Sequence, residues 1–169
     1  MRAVAVDPGE ARVGVAVSDS EARVATPVGV IGRASHGNDT NAQQWAQQVA
    51  EIVLQRRAQV VIVGIPVSLD GHEGPRAVAA RRDAGVLRRV LLERGWSGDV
   101  LLWDERYSSK AASSSVTQKV PRGKTSGSGK RGPKHGGAHG NDLDARAATF
   151  ILQGWLDAQC RPAQLKSKA

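Results

Sequence analysis

Cysteine is almost missing from this chain: Cys160 is the only one among 169 residues. A lone thiol rules out an intrachain disulfide and a cysteine-built zinc site, and it suits a reducing, cytoplasmic setting. Cys160 itself reads as a bystander; an intermolecular bridge or a reactive thiol are the alternatives. Long hydrophobic runs are missing too. The longest, VVIVGIPV at residues 60–67, is far too short to span a bilayer. No basic stretch followed by an apolar one opens the chain, so no secretory signal peptide is expected. Acids are in deficit: sixteen Asp and Glu against twenty-four Lys and Arg give a net charge of +8. Such an excess favours a polyanionic partner, nucleic acid ahead of an acidic membrane surface. No heptad or long exposed apolar stripe marks a subunit interface, so monomer and homodimer both stay open.

What is present is an ordered alternation of elements, at a length that fits one domain with a proper core. We take that domain as 1–159, with a polar tail at 160–169. AVAV and RVGVAVSD are β-branched runs joined by a Pro-Gly turn, which predicts an antiparallel hairpin. Residues 24–33 predict a third strand, with Pro27 marking an edge or a bulge. Over 40–57, Ala42, Trp45, Ala46, Val49 and Val53 recur at helical spacing. QVVIVGIP predicts a strand buried on both faces, as a central parallel strand is. A helix over 75–94, with Val86, Leu87, Val90 and Leu91 inward, leads to a fifth strand, DVLLWDE. A short helix is expected near Ser109 and a last one over 142–159. Together these predict an α/β fold: a five-stranded mixed sheet, three strands antiparallel and then two parallel, flanked by helices.

Ligands of such sheets gather at the carboxyl ends of the strands, and acids stand there. Asp7 ends the first strand; Asp104 and Glu105 end the fifth. On the last helix Asp144 shares a stripe with Ala147, Ala148, Ile151 and Trp155, so it points inward. Asp142 falls with Arg146, Thr149 and Gln153 on the expected solvent side. An acid opening a helix also favours the helix dipole, which is the plainer reading of Asp144. Three carboxylates on one rim repel by about 4 kcal/mol per pair at 4 Å and an effective dielectric near 20. A divalent cation removes that penalty. Oxygen donors without His or Cys favour Mg²⁺ or Mn²⁺ over zinc, and two such ions can hydrolyse a phosphodiester. The pattern leaves Asp104 and Glu105 undecided, because both faces of the fifth strand are apolar.

Four blocks, AVDPGEARVGVAVSD, VVIVGIPVSLDGHEGP, WDERYSS and LDARAATFILQGWL, resemble the signature blocks of the YqgF family, in order, across most of residues 1–157. That family comprises RNase H-like proteins described as Holliday-junction resolvases and pre-16S rRNA nucleases. The resemblance implies an RNase H-like fold and a metal-dependent nuclease that processes the 5′ end of pre-16S rRNA. A resolvase of branched DNA and a non-catalytic nucleic-acid-binding factor are the alternatives. By motif it assigns Asp7, Glu105 and Asp144 to a site for two Mg²⁺ or Mn²⁺ ions. Family members usually read DERLTT where this chain reads DERYSS; Ser108 and Ser109 keep the hydroxyls that cap a helix. A phosphotransferase of the sugar-kinase and actin type also has Asp-x-Gly on its first strand. It needs a second similar domain, for which 169 residues leave no room.

Substrate contacts are expected nearby. Arg12 follows the first turn, where the family has a basic residue, and suits a phosphate. Arg106 can hold a phosphate or pair with Asp104. Asp70, His72 and Glu73 lie in the loop after the fourth strand, although Asp70-Gly71 and Gly74-Pro75 are also plain turn chemistry. Residues 119–140 hold six Lys or Arg, seven Gly and no acid. That composition cannot form a core and predicts a flexible basic loop, longer than the family's usual one. Its Lys124, Lys130, Arg131 and Lys134 are expected on the phosphates of pre-rRNA or branched DNA. His135 and His139 stand four apart, but their Gly-rich setting argues against a helical metal pair.

Overall fold

Alternating Val and Ala at the N-terminus build a hairpin whose two faces differ in bulk. In the computed structural model, which describes residues 1–33, 43–66, 74–104 and 138–160, strand β1 (Ala3–Pro8) pairs antiparallel with β2 (Arg12–Ser18). The turn between them closes tightly at Gly9, where a Cβ would lie 2.7 Å from the carbonyl oxygen of Arg12. Strand β3 (Ala25–Gly32) pairs antiparallel with β2 and forms one edge of the sheet. The register slips between Val15 and Ala16, opposite Gly29 and Pro27. Pro27 thus marks both an edge and a bulge, as a residue without an N–H should.

Strands β4 (Val60–Ile65) and β5 (Asp99–Asp104) run parallel to β1. The sheet order is β3-β2-β1-β4-β5. The described helices are α1 (Gln44–Gln55), α2 (Pro75–Glu93) and α3 (Ala138–Cys160). Val4, Val6, Val13, Val15, Val61 and Val63 face α1 and α2, against Trp45, Val49, Leu87 and Leu91. The opposite face offers Ala3, Ala5 and Ala16 to Ala148, Leu152, Trp155 and Leu156 of α3. Small residues there let α3 lie close to the strands.

Several boundaries differ from the expectation. Helix α1 starts at Gln44 rather than 40, and Ala42 lies outside the described residues. Val86 of α2 is only half-buried, while Leu87, Val90 and Leu91 are buried as expected. Helix α3 starts at Ala138, one turn early and inside the segment read as loop 119–140. Strand β5 is the second edge, so its apolar faces are unequally covered, and Leu101 is 40% exposed. The helix expected near Ser109 lies outside the described residues.

Two side-chain clusters pin the layers. Gln153 was expected to face solvent; instead its amide accepts from the Ala25 N–H and donates to the Arg23 carbonyl, both at 3.0 Å. This ties α3 to the β2–β3 turn. In that turn the Asp19 carboxylate accepts the N–H groups of Arg23 (2.7 Å) and Val24 (3.1 Å), which hold its pKa below the usual aspartate value. On the other layer Arg33 pairs with Asp83 of α2 at 2.5 Å, and its guanidinium lies 4.8 Å from the Trp45 ring centroid. That pair is largely shielded, with 20% and 15% side-chain exposure. Asp83→Ala leaves Arg33 uncompensated and should cost about 3 kcal/mol. A denaturant titration checks it, and Arg33→Met combined with Asp83→Leu should cost clearly less.

Candidate active site

The site begins with a glycine inside a strand. Asp7 and Gly14 are partners in the β1–β2 ladder, and β1 alternation puts Asp7 on the α3 side with Ala3 and Ala5. Gly14 points to the same side. A Cβ built there would fall onto the carbonyl oxygen of Asp144. The absence of a side chain is what lets α3 settle its backbone onto β2 at this level. The Asp144 carboxylate is thereby delivered beside Asp7, half-buried, as the helical stripe predicted. Because α3 starts at Ala138, Asp144 sits beyond its first turn. The helix-dipole reading therefore loses its basis.

Electrostatics confirm the proximity. The pKa of Asp7 is pushed above the usual aspartate value, first by burial and then by the negative charge of Asp144. Arg76, at the start of α2, pulls it the other way. Asp144 is held by Arg12, whose Nε lies 3.1 Å from Oδ2. Arg12, expected to suit a substrate phosphate, stands on the rim paired with this carboxylate. Two neighbouring carboxylates, one of them desolvated, form a donor set suited to a hard divalent cation. Among the described residues no group of three His, Cys, Asp or Glu side chains gathers.

The other expected residues separate. Asp104 ends β5, and its neighbour Trp103 packs on the α3 side. Strand alternation therefore turns Asp104 toward the α1–α2 layer, away from Asp7. Glu105, Arg106, Asp70, His72, Glu73, Lys124, Lys130, Arg131, Lys134 and His135 lie outside the described residues, as do the side chains of Asp142 and His139. Sequence reasoning missed Gly14 and Arg76. An isolated Gly inside a strand is a signal of close backbone approach and would have found the first. Arg76 carried no signal, because its link to Asp7 is purely spatial.

Comparison with known proteins places this site in context. The family model RuvX, described as Holliday junction resolvase, matches residues 1–158. The chain belongs to the RuvX family. A Thermobifida fusca protein named "Putative pre-16S rRNA nuclease" is 39% identical over 158 residues, spanning 94% of this chain and 88% of its own length. A Myxococcus xanthus protein of the same name is 35% identical over 162 residues, spanning 96% and 91%. Among solved structures, Thermus thermophilus RuvC in complex with a Holliday junction substrate superposes with a TM-score of 0.58. The match covers 94% of this chain and 95% of RuvC at 16% identity, a likeness of fold. The RuvX chain thus has an RNase H-like fold and is a nuclease.

Two outcomes test the geometry. Gly14→Ala forces β2 and α3 apart and should cost about 1–3 kcal/mol, with loss of cleavage larger than the loss of fold explains. Asp7 has a folded pKa above its unfolded one. Its contribution to stability is therefore complete below the unfolded pKa and is lost as pH rises through the folded value. Asp7→Asn should accordingly raise the melting temperature in EDTA at neutral pH. Added Mg²⁺ should stabilise the wild type and stabilise Asp7→Asn much less. Equal melting temperatures in EDTA would refute the electrostatic account.

Proposed function

We propose that Asp7, Glu105 and Asp144 hold two Mg²⁺ or Mn²⁺ ions, and that the enzyme hydrolyses a phosphodiester near the 5′ end of pre-16S rRNA. The observation that carries this reading is the meeting of Asp7 and Asp144, far apart in the chain, as two negative charges that repel each other. Asp104 faces the other layer, which leaves Glu105 as the strand-five acid to assign. Divalent ions bound there supply Lewis acidity, activating water and stabilising the leaving oxygen. The chain's own residues prepare for this. Arg12 fixes the orientation of Asp144. The α3 backbone seated on Gly14 keeps the two carboxylates at one level. Arg76 adds positive charge beside Asp7, where a phosphate approaches.

The substrate comes from the names of the relatives, and the family's description supports a second one, a four-way DNA junction. No described helix is long and apolar enough to cross a membrane. Side-by-side digestion of a pre-rRNA 5′ fragment and a synthetic junction with Mg²⁺ separates the two. Cleavage of neither, with binding retained, would favour the non-catalytic factor. Asp7→Asn, Glu105→Gln and Asp144→Asn should each abolish cleavage while nucleic-acid binding persists. Asp104→Asn should retain more activity than Glu105→Gln; equal loss would overturn the assignment on strand five.

A further inference from the structure

Helix α2 carries five arginines and only two acids. Its buried stripe is Ala77, Ala80, Ala84, Leu87, Val90 and Leu91. Arg81, Arg82, Arg88 and Arg89 are all exposed on the surface away from that stripe. A merely solvated helix face mixes signs and pairs them at i,i+4. Here Asp83 is already taken by Arg33, and Glu93, four residues after Arg89, forms no ion pair with it. Among the described residues Arg82, Arg88 and Arg89 make no ion pair; the ion pairs are Arg12–Asp144, Arg23–Glu21 and Arg33–Asp83. Arg82, Arg88 and Arg89 are therefore concentrated on one surface with no carboxylate bound to them among the described residues.

Their spacing is regular. Arg81 and Arg88, like Arg82 and Arg89, stand seven residues apart, about 10.5 Å along a helix that rises 1.5 Å per residue. Each strand of a duplex carries a phosphate about every 3.4 Å of axis, so this interval spans about three steps. Guanidinium groups suit phosphate oxygens geometrically as well as electrostatically. The helix also starts at the right place: Arg76, in its first turn, acts on Asp7 at the catalytic rim. A backbone engaged at the rim meets Arg76 first and, further along the same helix, Arg81, Arg82, Arg88 and Arg89.

We propose that the outer face of α2, through Arg82, Arg88 and Arg89 with Arg81 beside them, is a docking track for the phosphate backbone of a nucleic-acid duplex flanking the cleavage site. This rests on the reading of the rim as a nucleic-acid site. A second copy of the chain fits the face poorly, because a two-fold contact would set these arginines against one another.

The test uses the full chain carrying Arg82→Gln, Arg88→Gln and Arg89→Gln together, since Gln matches Arg in helix propensity. Circular dichroism confirms that the fold is kept. Binding of a long RNA duplex, a DNA duplex and a single strand is measured in EDTA by fluorescence anisotropy at several salt concentrations. On duplex, the slope of log K against log salt should become shallower by about 2.7, three contacts at about 0.9 each. Parallel plots for variant and wild type overturn the proposal. So does a change confined to the single strand. So does light scattering that shows a wild-type dimer and a variant monomer with unchanged slopes. Cleavage by wild type in Mg²⁺ reports separately on the nuclease reading. If cleavage is absent but the slope changes, the track stands and that reading falls.

Discussion

The close seating of the α3 backbone on β2 is the constraint from which the site follows. A helix can approach a sheet this nearly only where the strands offer almost no side chain. The α3 side of the hairpin is Ala3, Ala5 and Ala16, ending at Gly14. The same strands put Val on their other side, where α1 and α2 stand off behind bulkier residues. Placement of Asp144 beside Asp7 is therefore a product of size sorting on one face of one hairpin. Gln153 holds the same helix at the β2–β3 turn, so α3 is fixed at two levels and cannot slide along the sheet.

Bringing two acids together works against stability, and the surroundings offset it only in part. Arg12 answers Asp144 directly. Arg76 answers Asp7 from the start of α2, yet burial and Asp144 outweigh it, since the pKa of Asp7 still rises. The chain as a whole carries a net charge of +8, so this pair of carboxylates is a local exception to its surroundings.

The parts of the fold governed by local pattern were legible in the residues. Alternation and a Pro-Gly turn announced the hairpin, an unbroken apolar run announced β4, and helical phase predicted the inward face of Asp144. What was illegible depended on partners far away in the chain. The start of α3 at Ala138 was hidden by Gly, His and Asn, poor helix formers overridden by the rest of the helix. Arg33 and Asp83 meet across fifty residues, and nothing near either one signals the other. Arg12 was legible as a rim cation, but its pairing with Asp144 depends on α3 being docked. The fifth strand is apolar on both faces, which left Asp104 and Glu105 undecided, and its edge position leaves Leu101 open.

The site draws one acid from the first strand and another from the last described helix. Protein synthesis runs from the amino end, so a chain still being translated displays Asp7 and the whole hairpin long before Asp144 has been made. Until α3 emerges and seats itself on Gly14, Asp144 cannot stand beside Asp7. The pairing of Asp7 with Asp144 is therefore a property of the docked fold and of no shorter stretch of the chain.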